Sequence, residues 1–422
     1  MMIPYHLNIS QVMSFHALVN LFIESGITDY RQRRKVKFPF YELLVVVLLA
    51  HICGRTSAVE VADFAYDKHH LFKAVFNAWP DTSPSHDTIT RLYNSVDLQP
   101  ALRYLYMSAL TKMPEMEKHS QNCYRVLALD GQAPRSLMYG LINGVSIPKE
   151  KLGFRQFYLV SLFDCDRAVC VDHEKIFDKE NENKASLRLV SRNSLDNAIV
   201  TCDALNTTKD IISAIESMGG HFCMAVKANR RSLYDSLKAA ANNEELMESV
   251  SVKYTGPTEI AHGREETRSI MAFPACHVKK VAENWPSVNT IFVARTESKI
   301  IKTGISRKPQ IRYFISSVPF KDMETALLGM DVIRKHWGIE NKLHYNLDNS
   351  FSQDRMVALN KDQVTTRVAF NKLALNFVNV LKTDTNYSDS SIKRLVVRLA
   401  DDAQLLNAVG IIAAALELRK AA

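Results

Sequence analysis

YRVLALDG at residues 124–131 and AIVTCDAL at residues 198–205 decide the fold, because each is an apolar run that stops on an aspartate, Asp130 in the first and Asp203 in the second. Short apolar runs of this kind, bounded by polar and glycine-containing text, read as buried strands. A strand end is a rigid mount for a functional side chain. A third acidic residue, Glu340 in RKHWGIENKLHYNLD, stands in a stretch with helical spacing. Three carboxylates drawn from two strand ends and a helix are the donor set of a two-metal phosphoryl-transfer site.

Around these runs the strands FYLVSLFD and AVCVDHEKIF follow YRVLALD closely enough for a meander. A helical stretch near KASLRLVSR precedes AIVTCD. A capped helix, TTKDIISAIESM, stops at Gly219 and Gly220, and HFCMAVKAN supplies a further strand. The order of three strands, helix, strand, helix, strand is that of a ribonuclease H-like mixed α/β sheet. Between about 249 and 320, the runs VSVKYTG, TRSIMAF, NTIFVAR and QIRYFISSV break the rhythm. A β-strand-rich insertion before the last catalytic helix accounts for the long separation between Asp203 and Glu340.

The flanks are helical. Residues 1–118 alternate apolar and polar at helical spacing and predict an all-helical N-terminal domain. In TSPSHDTITRLYNSV, Ser83 or Ser85 caps a helix whose first turn holds Pro84 and Asp87, with Arg91 projecting. The expected domains are 1–118, helical and DNA-binding; 119–248, the first part of the catalytic domain; 249–320, the insertion; and 321–422, the rest of the catalytic domain with the Glu340 helix and a helical C-terminus.

Composition is permissive. The chain of 422 residues, 47% apolar, is long enough for well-buried cores, and its net charge of +8 favours a polyanionic partner only weakly. Seven scattered cysteines, odd in number and never spaced CxxC, read as reduced thiols of a cytosolic protein. The start MMIPYHLNISQV lacks the features of a secretory signal, and the longest apolar stretch, Leu43 to Cys53, is too short to span a bilayer.

Other candidates carry weaker signals. His336, Glu340, His344 and Asp348 recur every four residues and would share one helix face, a pattern open to zinc. The histidines stand eight apart with the glutamate between, unlike HExxH, so a zinc hydrolase ranks last. Lys227 and Asn229 follow a strand and can meet phosphate. Arg264 and Arg268 in AHGREETR would point the same way from a strand and grip a DNA backbone, or form a salt-bridge ladder with Glu265 and Glu266. DKENEN at 178–183 reads by composition as a solvated turn.

Eight strings in order, PSHDT (84–88), LDG (129–131), DKxNE (178–182), TxDA (201–204), VKxN (226–229), HGRxETR (262–268), RYFISS (312–317) and HWxIENxLHxxLD (336–348), make the chain resemble the DDE transposases of bacterial insertion sequences, H-repeat-associated type. The resemblance implies that Asp130, Asp203 and Glu340 are catalytic and hold two Mg²⁺ or Mn²⁺ ions. It implies cleavage and joining of double-stranded DNA at the element's end repeats and target, by a homodimer or larger assembly, in the nucleoid of the cytoplasm and with no membrane. Arg135, Lys227, Asn229, Arg264, Arg268, His336, Trp337, Asn341 and His344 are the expected DNA-binding residues. The family's DGKxxR reads DGQAPR here: Arg135 is retained, but Gln132 cannot supply the lysine's charge, and weaker phosphate binding follows if that lysine contacts phosphate. The tyrosine, arginine and lysine that flank the glutamate in the wider superfamily are replaced by Ile333, His336 and Leu347, which leaves His336 and His344 as candidates for phosphate contact or proton handling. The alternative is a DNA-binding protein derived from such an enzyme that no longer cuts.

Overall fold

The computed structural model describes residues 7–32, 34, 36–108, 124–134, 141–142, 145–146, 157–177, 181–356 and 361–417. Its backbone is a mixed sheet of ten strands: β1 (Arg125–Gln132), β2 (Phe157–Asp164), β3 (Val169–Phe177), β4 (Ala198–Cys202), β5 (His221–Val226), β6 (Val252–Thr255), β7 (Glu259–Ala261), β8 (Arg264–Pro274), β9 (Thr290–Ile300) and β10 (Gln310–Ser316). They lie in the order β3-β2-β1-β4-β5-β10-β9-β8-β6, with β7 on β8. β1, β4 and β5 run parallel and are the most apolar, as strands covered on both faces must be. The remaining pairs are antiparallel. The strands expected of an insertion therefore continue the same sheet through the pairing of β10 with β5, where Tyr313 faces Val226.

The first six helices are α1 (Ile9–Glu24), α2 (Phe40–Ile52), α3 (Ala58–Asp67), α4 (His69–Val75), α5 (His86–Tyr93) and α6 (Gln99–Ser108). α2 is apolar all round, and every residue from Leu43 to Ile52 is buried. α5 is capped by Ser85 alone, whose Oγ accepts from the Thr88 amide; Pro84 lies before the cap, outside the helix. α7 (Glu182–Ser191), α8 (Lys209–Ser217), α9 (Arg231–Ala241), α10 (Glu244–Val250) and α11 (Lys279–Asn284) accompany the strands. α8 begins at the Thr208 cap and ends before Gly219, whose φ of 80° suits a residue without a Cβ.

α12 (Met323–Lys335) lies across β8 and β9. It comes close only because Gly329 is glycine: a Cβ there would stand 2.4 Å from the Phe292 ring. Next come a π-helical turn (Ile339–His344), α13 (Tyr345–Asn349), α14 (Lys361–Leu381), α15 (Ile392–Arg398) and α16 (Asp402–Glu417). α14 joins the two halves of the molecule. Its Asn376 bonds both backbone groups of Cys170 on β3, and its Asn371 accepts from or donates to His51 of α2 at 2.7 Å. α1 packs on α16 and α2 on α14, so one apolar core runs through N-terminal helices, sheet and C-terminal helices. The expected domain boundary at 118 falls outside the described residues. Among the described residues, no single helix is long and apolar enough to cross a membrane.

Candidate active site

Parallel pairing of β1 with β4 sets Leu129 opposite Cys202, so the next residues, Asp130 and Asp203, emerge side by side at the same edge. Asp203 is fixed by its own turn: Oδ1 accepts from the amides of Leu205 (3.0 Å) and Asn206 (3.3 Å). Asp130 lies deeper. Burial, and then the charges of Asp203, Glu340 and Glu182, push its carboxyl up to about 7, against the pull of the Gly131 amide. All three expected carboxylates thus act on one another electrostatically.

Glu340 stands in the π turn, where the Tyr345 amide reaches back five residues to the Glu340 carbonyl. Such turns are frequent at functional sites. The turn changes the pitch that the four-residue spacing assumed, yet His336, Glu340, His344 and Asp348 all remain near the strand ends. His344 Nδ1 is 3.7 Å from Asp130 Oδ2, too far for a hydrogen bond. Burial lowers His336 to about 4 and His344 to about 3, so both are neutral at physiological pH and bring no positive charge. His336 Nδ1 and His344 Nε2 are sealed from water without a partner.

A fourth carboxylate, Glu182, belongs to the group. Its side chain packs against Gly131 so closely that a Cβ there would be 3.0 Å from the carboxyl carbon. Fully buried Asn206 donates to Glu182 Oε1 at 2.9 Å and lies 3.4 Å from Asp203 Oδ1, while accepting from Ser186. Burial and the Asp203 charge raise the Glu182 carboxyl above the usual range. In the sequence Glu182 looked like part of a solvated turn; the DKxNE string was the one signal that could have found it. Asp178 and Lys179 of that string lie outside the described residues.

Gln132 is buried, donates to Asp348 Oδ1 at 2.9 Å and accepts from Gln353 at 3.3 Å. Its side chain braces α13 against β1. Beneath the site, Lys372 of α14 is wholly buried and donates to Ser161 Oγ at 2.8 Å, and Ser161 is the register partner of Asp130 on β2.

Of the expected DNA-binding residues, Arg135 lies outside the described residues. Lys227 and Asn229 follow β5 at the same sheet edge, and Asn229 is tied to the Ala204 carbonyl at 2.8 Å. Trp337 and Asn341 are exposed beside Glu340. Arg268 is ion-paired to Glu259 and Glu266, the ladder reading in part, and Arg264 lies farther along the same strand.

The donors grouped here are carboxylate oxygens, which suit hard divalent ions. Among the described residues no three His, Cys, Asp or Glu side chains close around one point as they stand, and this holds for a zinc set as for a magnesium one. The mutual repulsion that raises Asp130 is the mark of a group short of positive charge, which Mg²⁺ or Mn²⁺ would supply.

A mixed sheet whose parallel strands end in grouped carboxylates defines the ribonuclease H-like class. The chain belongs to the DDE transposases, of the H-repeat-associated type. The transposase DDE domain model matches residues 144–377, and the DDE_Tnp_1-associated model matches residues 24–105, with Asp130 between the two. "Putative transposase YncI" of Escherichia coli O157:H7 is 27% identical over 88% of this chain and 89% of its own length. "H repeat-associated putative transposase YhhI" of E. coli K12 is 28% identical over 78% and 82%. A solved piggyBac transposase synaptic complex with hairpin DNA aligns over 98% of this chain and 82% of its own at 12% identity and a TM-score of 0.37, a likeness that carries no argument here.

Proposed function

We propose that this transposase cleaves and joins double-stranded DNA at the ends of its own insertion sequence, with Asp130, Asp203 and Glu340 as the catalytic, metal-holding residues. The observation that carries the reading is the side-by-side emergence of Asp130 and Asp203 from paired parallel strands, with Glu340 close enough for its charge to raise Asp130. Two Mg²⁺ or Mn²⁺ ions at these carboxylates supply activation of the attacking oxygen and stabilisation of the leaving one. The chain's own part is orientation: the Asp203 turn, Asn206 and the Gly131 backbone hold the oxygens before any ligand arrives.

In this reading residues 1–118 bind DNA, 119–248 and 321–422 form the catalytic domain, and 249–320 are an insertion that widens the sheet. Arg135, Lys227, Asn229, Arg264, Arg268, Trp337 and Asn341 meet DNA. His336 and His344, being neutral, serve as hydrogen-bonding groups. The enzyme works as a homodimer or larger assembly, since two ends must be joined, in the nucleoid. The competing reading, a DNA-binding protein that no longer cuts, rests on Gln132, whose side chain is committed to Asp348 and Gln353.

Cleavage of a labelled duplex carrying the element's end, with Mg²⁺, Mn²⁺, Zn²⁺ or EDTA, tests this. Cutting that needs Mg²⁺ or Mn²⁺ and disappears in Asp203→Ala and Glu340→Ala is the expected result. Binding without cutting under every metal would favour the non-cutting reading.

A further inference from the structure

A groove of about 420 Å³ runs between β8–β10 and α12 and opens beside Glu340. Its floor is one face of the antiparallel strands, where register places Arg268, Thr296 and Gln310 in one row and Ile270, Ala294 and Arg312 in the next. Its wall is α12 with Arg334, and its mouth is formed by Trp337 and Asn341. Four arginines line it, and three are already paired: Arg268 with Glu259 and Glu266, Arg334 with Glu259, and Arg295 with Glu297.

Arg312 is the exception. It has no carboxylate partner among the described residues, and its Nε is sealed from water with nothing bonded to it. Its guanidinium lies 5.9 Å from the Phe314 ring. Burial, and then the charge of Arg268, lower its basicity. A guanidinium carries five donors in a fixed fork, and leaving a buried one without an anion is costly, so the position is complementary to an anion from outside. At the mouth, Trp337 leaves 46% of its surface in water, one helical turn before Glu340.

We infer that this groove receives one unpaired nucleotide of the DNA end, its phosphate on the Arg312 guanidinium and its base stacked against Trp337. The volume lies within the range of about 300–1,000 Å³ usual for ligand sites. A simple anion would leave Trp337 unused, and a base inside a duplex has both faces covered by its neighbours, so only an unstacked base can meet the ring. The inference rests on the proposed DNA-processing reading, and it adds that the substrate strand is frayed or unpaired next to the cut.

Binding is measured without cleavage, in EDTA, using a short blunt duplex and the same duplex with an unpaired tail of either polarity. The tail carries 2-aminopurine, whose fluorescence falls on stacking. The wild-type protein is expected to bind one tailed duplex about tenfold more tightly than the blunt one, as stacking of one base supplies, with loss of fluorescence. Arg312→Gln and Trp337→Ala, checked for unchanged thermal melting, each remove that preference and leave blunt-duplex affinity within about twofold. Arg312→Lys, which keeps the charge but loses the fork, retains part of it. Equal binding of tailed and blunt duplexes, or a preference that survives in both variants, overturns the inference. Cutting in Mg²⁺ without tail preference sinks this inference alone; tail preference in a chain that never cuts sinks the cleavage reading alone.

Discussion

Asn206 donates its side-chain amide to Glu182 at 2.9 Å, and the same nitrogen lies 3.4 Å from Asp203, so one buried amide orients two carboxylates on separate elements. Replacing it with leucine leaves Glu182, Asp203 and the Ser186 hydroxyl each short of a partner. Asn206→Leu is expected to cost about 1–3 kcal/mol of stability, as unsatisfied buried groups do, and to lower cleavage by roughly 100-fold through loss of orientation. Chemical denaturation beside a cleavage time course checks both. Unchanged cleavage at reduced stability would show that the carboxylates need no such guide.

Gly131→Ala is the complementary test from the other side of Glu182. The added methyl meets the Glu182 carboxyl at 3.0 Å, and the flexible side chain can swing away. Stability should therefore change by less than about 1 kcal/mol, while Ca²⁺ affinity measured by calorimetry falls several-fold. If Ca²⁺ binds this variant as well as it binds the wild type, Glu182 has no part in holding a metal.

Asp130 gives a pH dependence of defined sign. A carboxyl raised to about 7 from 3.8 holds its proton longer in the folded chain than in the unfolded one. Its destabilising effect is therefore absent at low pH and develops as pH rises through this window. Metal-free Asp130→Asn should melt above the wild type at pH 8, by on the order of 2 °C, and the difference should close towards pH 4. Melting curves in EDTA across that range decide it.

Lys372 is a cation wholly enclosed behind the site, with burial lowering its pKa from 10.5. Removing a buried charge often stabilises a protein, and Lys372→Met should do so by about 1 kcal/mol at pH 7. The gain shrinks as pH approaches 10.5, where the lysine is neutral folded or unfolded. A variant less stable than the wild type at pH 7 would mean that the Ser161 hydrogen bond outweighs the cost of enclosure.

The parts of this site that rest on local chemistry were legible in the sequence. Apolar runs ending on aspartate gave β1 and β4, and a threonine cap with paired glycines gave α8. The strands between 252 and 316 were visible as strands, but not their pairing: nothing local says that Tyr313 will face Val226 and extend the catalytic sheet. The π turn was hidden for a similar reason, since a four-residue spacing reads as ordinary helix and the extra residue per turn has no sequence signature. Glu182 was hidden because a glutamate after Asn181 in a polar loop becomes a site residue only through Gly131 and Asn206, far away along the chain. Gln132 was read by the charge it lacks, whereas its place in the structure is set by the hydrogen bonds it makes.

The bond between His51 and Asn371 spans 320 positions, and it lies where α2 meets α14. While the chain is being synthesised, the helix from Phe40 to Ile52 leaves the ribosome long before the helix that covers it. Such an uncovered apolar surface favours aggregation and recruits chaperones. Pairing of β10 with β5 and arrival of Glu340 also wait for late segments. A nascent or prematurely ended chain therefore has neither a closed core nor a complete set of carboxylates, and the ability to damage the host's chromosome would be withheld until translation is nearly finished.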